Sequence, residues 1–163
     1  MRKTLLGLDI GSSSVKVALV DAENGERIAG SQSPETELPI HSPHPSWAEQ
    51  DPEVWWQHVQ HAVQAVRHQA PDAYRGVVAI GIAYQMHGLV LINEEHFPVR
   101  PSIIWCDSRA VASGEKIESQ LSAEDIRAIG NSPGNFTAAK LLWVKENEPE
   151  IYARARYMLL PGE

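Results

Sequence analysis

The stretch LLGLDIGSSSVKVALVD, Leu5 to Asp21, constrains the fold more than any other part of the chain. It reads as an apolar strand, a tight turn of small and hydroxyl residues, and a second strand with Val15, Val17 and Leu19 on one face. Asp9 stands where the first strand stops, so a carboxylate is held on rigid backbone at the lip of the turn. Gly11 removes the Cβ that would block a sharp bend. Ser12, Ser13 and Ser14 offer hydroxyls and a run of backbone N–H groups, a concavity suited to phosphate oxygens, with Lys16 as countercharge. Such a turn reads as a phosphate loop whose acid could hold a hydrated Mg²⁺ ion. The alternative is an ordinary β-hairpin in which Asp9 and the serines satisfy only turn backbone. Without a Lys-Ser/Thr ending or a following helix, the turn is neither a Walker nor a Rossmann signature.

The chain has 163 residues, 43% hydrophobic and 21% charged, enough for one well-cored domain. A net charge of −7 with no basic cluster argues against a nucleic-acid surface, which needs concentrated Lys and Arg. Cys106 is the single cysteine, so an internal disulfide and a thiolate zinc site are both excluded, and a reducing cytoplasm is the expected compartment. Asp9 interrupts the N-terminal apolar run and no small-residue cleavage site follows, so that run reads as a strand rather than a signal peptide. No segment is long enough to span a membrane.

Farther along, Glu26 to Glu37 continues as a third strand after the Asn24-Gly25 turn. A connection bearing proline and histidine, Pro39 to Pro45, leads to a helix start with Asp51 as N-cap, Pro52 first in the helix and Glu53 suited to its dipole. Trp55, Val59, Ala62, Val63 and Val66 then share one helical face, opposite Gln57, Gln60, Gln64 and Arg67. Val77 to Ala83 is almost continuously apolar, the pattern of a strand covered on both sides. It empties into Tyr84-Gln85-Met86-His87-Gly88, and a strand from Leu89 to Ile92 follows. Short helices are expected over Ala110 to Leu121 and Ala123 to Ile129, then a loop at Asn131 to Asn135. Thr137 is expected to cap a helix reaching Glu146, with Leu141 and Val144 buried and the charged residues outward. A last turn at Glu150 to Ala155 and a strand at Tyr157 to Leu160 complete the reading. The fold class is α/β: a mixed sheet with an antiparallel three-stranded N-terminal meander and helices packed on it. Polar groups gather at strand ends, where ligands of open α/β sheets bind.

DIGSSSVK at the start, WAEQDPEVWW (Trp47 to Trp56), QMHG (Gln85 to Gly88), the Trp105 to Arg109 run and TAAKLLWVKENEPEIY (Thr137 to Tyr152) occur together and in one order. In these the chain resembles the N-terminal portion of the FGGY family of carbohydrate kinases, and within it the branch that acts on D-xylulose. Cys106 departs from the common Asn of the family, Asn135 from Gly and Ala139 from Pro, and the ending LLPGE departs further. The resemblance implies an actin-like, ribonuclease-H-like fold, ATP with Mg²⁺, and transfer of the γ-phosphoryl group to D-xylulose by the parent protein. Residues 1–163 are then a partial N-terminal domain, without the C-terminal domain and without the aspartate that acts as general base, and inactive alone.

On this reading Asp9 helps place Mg²⁺ and the phosphates, and Gly11, Ser12, Ser13 and Lys16 line them. Met86, His87 and Gly88 contact the sugar: the imidazole exchanges hydrogen bonds with a polyol hydroxyl, the thioether forms an apolar wall, and the glycine allows close backbone approach. Asp107 and Arg109 either orient substrate or form an internal ion pair behind the pocket. A neutral strand-end His, turn-bonded serines and a solvated Lys16 are the structural alternatives. His58 and His61 share a helix face but no carboxylate completes a metal site with them. The parent is expected to use a small-molecule sugar and ATP, without nucleic acid or membrane, and a homodimer of the full-length protein is left open. Rival readings are an FGGY kinase for another ketose or polyol, and a non-catalytic sugar-binding fragment.

Overall fold

The computed structural model describes residues 2–163. The described residues form two compact units, one of residues 2–39, 53–85 and 162, the other of residues 40–52, 86–161 and 163.

In the first unit, β1 (Thr4–Ile10), β2 (Val15–Asp21) and β3 (Arg27–Ser33) form the expected antiparallel meander. The third strand stops at Ser33, short of Glu37, where Pro34 removes the next backbone donor. The period-two pattern decides the faces: Leu6, Leu8, Ile10, Val15, Val17 and Leu19 are buried, whereas Leu5, Gly7 and Asp9 face outward. β4 (Glu49–Gln50) belongs to the second unit. α1 (Pro52–Gln69) begins at the proline the sequence marked and buries Trp55, Val59, Ala62 and Val66, with Val63 half-buried. It is tied to β3 by the Ser33 hydroxyl and His58 Nδ1 at 2.8 Å and by Gly30 N–H donating to Gln69 Oε1 at 3.4 Å. α2 (Pro71–Tyr74) follows, and the Thr4 hydroxyl donates to Ala73 O at 2.9 Å. β5 (Val77–Tyr84) then lies parallel to β1, giving the order β3-β2-β1-β5.

β5 corrects one expectation. Its apolar run predicts cover on both faces, yet Val78, Ile80 and Ile82 are 59%, 62% and 51% exposed. Among the described residues the strand pairs with β1 alone, at the end of the order β3-β2-β1-β5.

The second unit is built from short pairs. β6 (Val90–Ile92) pairs antiparallel with β8 (Tyr157–Leu159), and β4 with β7 (Ser102–Ile103). Between β7 and β8 come α3 (Val111–Glu118), α4 (Ala123–Ile129), a 3-10 turn (Pro133–Asn135), α5 (Thr137–Asn147) and α6 (Pro149–Arg154). α4 is bounded by its own chemistry: Ser122 and Asp125 exchange capping hydrogen bonds at its start, and Gly130 at φ +76° ends it. Leu89, Leu91, Val99, Ile103 and Val144 form the core, with Leu141, Trp143, Ile151 and Ala155 packed against it.

α5 departs from expectation twice. Thr137 is its first residue rather than its cap, and the Thr137 hydroxyl donates to Gly88 O at 3.2 Å. Lys140, expected outward with the other charges, is fully buried.

Candidate functional site

The first cluster is the turn between β1 and β2. Gly11 N–H donates to Ser14 O at 3.1 Å, closing the turn, and Leu38 N–H donates to Ser13 O at 2.8 Å, holding it from outside. A Cβ on Gly11 would stand 3.1 Å from Ser14 O, so a side chain there would push the turn open. Register places Asp9 opposite Lys16, and their charges meet at 3.9 Å with both side chains more than half exposed. Such a contact is loose and screened, so the Asp9 carboxylate stays open to a stronger cation. Both residues also border a shallow concavity on the open face of the sheet, with Gly7, Ala18, Gly30 and Gly81; Gly11, Ser12 and Ser13 are not part of its wall. β1 and β5 run parallel and leave the sheet at one edge, where Gln85 N–H donates to Ile10 O at 3.0 Å. Sequence reasoning passed over the Gln85 side chain, whose carboxamide oxygen and nitrogen are buried without a hydrogen-bond partner among the described residues.

Mg²⁺ in nucleotide sites is held by one or two carboxylates together with phosphate oxygens and water. One exposed carboxylate on a rigid strand end, beside a turn of backbone N–H groups, fits that mode of binding.

The second cluster belongs to the other unit and centres on Met86, His87 and Gly88. Met86 is 64% exposed, an apolar surface at the start of the turn. His87 takes φ +57°, an uncommon conformation for a residue with a side chain. Its half-buried ring stacks on Phe136 with centroids 4.5 Å apart and planes 11° from parallel. Burial, and the Lys140 ammonium beside it, hold the imidazole below its ordinary titration range. At pH 7 the ring is therefore neutral, with one donor and one acceptor nitrogen, which suits a hydroxyl that both gives and takes hydrogen bonds. A Cβ on Gly88 would meet Pro161 Cγ at 2.4 Å, so the turn is closed to any side chain at that position.

Two residues the sequence reading did not assign to this corner stand with it. Lys140 Nζ donates to His87 O at 2.6 Å and to Asn135 O at 3.2 Å. Asn135 Nδ2 donates in turn to Trp105 O, and the Trp105 side chain is 47% exposed. The signal for Lys140 was its place four residues before Val144 and four after Phe136, on the inward stripe of α5.

Asp107 and Arg109 form a buried ion pair. Their side chains are 0% and 1% exposed, and Arg109 Nη2 donates to Asp107 Oδ2 at 2.7 Å while Nε donates to both carboxylate oxygens at 3.0 Å. Asp107 also accepts from Ala48 N–H at 2.6 Å and Arg109 N–H at 2.9 Å. The guanidinium lies 3.7 Å from the Trp47 ring centroid and 5.1 Å from that of Trp143. Arg109 Nη1 approaches Glu49 at 2.7 Å, and Arg100 joins Glu49 to Glu148. Trp47 and Glu49 thus serve the scaffold behind the loop that carries Trp105.

Residues 4–163 match the model of the N-terminal domain of the FGGY family of carbohydrate kinases. The chain belongs to this family. Among its relatives, the xylulose kinase of Escherichia coli (strain K12) is 40% identical over 160 residues, covering 97% of this chain and 31% of that protein. A xyloylose kinase from Brucella ovis superposes with a TM-score of 0.86 at 39% identity, over 98% of this chain and 32% of that one. The xylulose kinase of Rhodospirillum rubrum gives 0.84 at 25% identity, over 96% and 32%. The chain spans about a third of the length of the curated relatives it matches. The actin-like fold of FGGY sugar kinases accounts for the mixed sheet, with its antiparallel meander and parallel fourth strand.

Proposed function

We propose that the parent protein transfers the γ-phosphoryl group of ATP to D-xylulose, giving D-xylulose 5-phosphate. The observation that carries this reading is the Met86-His87-Gly88 turn, whose neutral imidazole is fixed against Phe136 next to an exposed methionine surface. Its support is the 40% identity, along nearly the whole chain, to an enzyme named xylulose kinase. Asp9 would hold Mg²⁺, directly or through water, and the Gly11, Ser12 and Ser13 backbone with Lys16 would face the phosphates. Bound Mg²⁺ supplies charge neutralisation on the phosphoryl oxygens; the chain supplies position, which is most of what this chemistry requires. Met86 and His87 would bind and orient the ketose, Gly88 would set their turn closely against Pro161, and Asp107 with Arg109 would keep the supporting loop in place. The base that takes the sugar proton lies, on this reading, outside residues 1–163. The lone exposed Cys106 is compatible with a reducing cytoplasm.

The experiment is ADP release by the full-length protein with ATP, Mg²⁺ and a panel of ketoses and polyols. A highest kcat/KM for D-xylulose is expected. A higher value for another sugar moves the assignment within the family, and no sugar-dependent ADP release refutes it.

A further inference from the structure

His87 is gripped at two points by one turn of α5. Phe136, preceding the helix, stacks on the imidazole, and Lys140, four residues later, donates to the His87 carbonyl at 2.6 Å. Lys140 N–H donates to Phe136 O at 3.2 Å, so both grips belong to one hydrogen-bonded turn. The same ammonium donates to Asn135 O at 3.2 Å, and Asn135 holds Trp105 O. A fully buried ammonium is costly, and a lysine placed there for packing alone would be better replaced by methionine. What the charge supplies is directional: it fixes the His87–Gly88 peptide in one orientation although His87 has a positive φ.

We infer that Lys140 is a positioning residue for the sugar corner, its ammonium locking the His87 carbonyl so that the imidazole stands ready for a substrate hydroxyl. This rests on the proposed reading of His87 as a sugar ligand. Lys140 faces Asp107, Cys106 and Arg109 as well as His87. Burial pulls its ammonium from 10.5 down to about 8, against the pull of Asp107 and Cys106. His87 titrates below its ordinary range and burial pushes the Cys106 thiol up, so Lys140 is the member of this group that loses its charge near pH 8.

The chain has a single His-Gly step, so labelling histidine carbonyls with ¹³C and glycine nitrogen with ¹⁵N isolates the His87–Gly88 peptide as one NMR cross-peak. The expected result is a peak that shifts with a midpoint near pH 8 in the unmodified chain, and that is displaced and pH-independent across that range in Lys140→Met. A peak indifferent to pH from 7 to 11, through the loss of the ammonium's charge, overturns the lock without recourse to any variant. In the full-length protein, Lys140→Met is expected to raise KM for D-xylulose about tenfold while KM for ATP stays within twofold, and to abolish the rise of sugar KM above pH 8. Unchanged sugar KM with a displaced peak leaves the lock standing and refutes its role in binding. A pH-sensitive peak in a protein that turns over no sugar refutes the functional reading alone.

Discussion

Replacing Asp107 by Asn removes one charge from the most deeply buried ionic cluster in the chain. The carboxylate is 0% exposed and takes four kinds of donor at once: Arg109 Nε, Arg109 Nη2, Arg109 N–H and Ala48 N–H. Asn retains the volume and one acceptor oxygen, but presents an NH₂ group to a guanidinium that is itself 1% exposed. Stripping a buried charge of its partner costs about 3–5 kcal/mol. Arg109 keeps its contact to Glu49 and its stack on Trp47, which places the expected loss near the lower bound, about 3 kcal/mol. Against a total of about 5–15 kcal/mol for an ordinary domain, such a loss is readily measured. Urea unfolding at pH 7, followed by tryptophan fluorescence, reads it as a lower midpoint at unchanged slope. Arg109→Met alone is costly as well, because it leaves Asp107 buried with only backbone donors. The double variant should therefore cost about 1–3 kcal/mol less than the sum of the singles. A loss under about 1 kcal/mol for Asp107→Asn, or simple additivity in the cycle, would show that the pair is not coupled in the folded chain.

Gly88→Ala drives a Cβ into Pro161 Cγ at 2.4 Å and should destabilise the chain by about 1–3 kcal/mol, checked by the same unfolding assay; a neutral result would show that this turn has room. Lys140 gives stability a pH signature. Between about 8, its folded value, and 10.5, its ordinary one, the unfolded chain binds the extra proton, so stability rises with pH. Across that window the gain is about 3 kcal/mol at roughly 1.4 kcal/mol per pH unit, and Lys140→Met should remove it; equal slopes in both proteins would contradict the buried ammonium. Asp9→Ala in the full-length protein should lower kcat by about a hundredfold or more and weaken Mg²⁺–ADP binding in calorimetry, with the sheet intact. Mg²⁺–ADP affinity equal to that of the unmodified protein would remove Asp9 from the nucleotide site.

The meander was legible because period two is written plainly in Leu6, Leu8 and Ile10 and in Val15, Val17 and Leu19, and a one-residue slip would turn each set to water. α1 was legible through Pro52 and the Trp55-Val59-Ala62-Val66 stripe. At β5 the apolar run reports what the strand is suited to contact, and the described residues pair it with β1 alone and leave Val78, Ile80 and Ile82 exposed. At Lys140 polarity and periodicity disagree: the charge argues for the surface, while a place between Phe136 and Val144 on the helix turns the residue inward, and periodicity prevails. At the ion pair, the spacing of Asp107 and Arg109 was visible. Their partners Ala48 and Glu49 lie about sixty residues earlier, and local sequence carries no sign of such a pairing. The Met86-His87-Gly88 corner was identified by resemblance; the stack on Phe136 and the carbonyl grip of Lys140 are tertiary facts.

The proposed reading divides the work, with nucleotide and Mg²⁺ at the Asp9 turn and ketose at the His87 corner, and steady-state kinetics of full-length His87→Ala, varying D-xylulose and ATP in turn, separates the two. At least a tenfold fall in kcat/KM for the sugar is expected, about 1.4 kcal/mol of transition-state stabilisation, with KM for ATP within twofold. Sugar kinetics indistinguishable from those of the unmodified enzyme would contradict it.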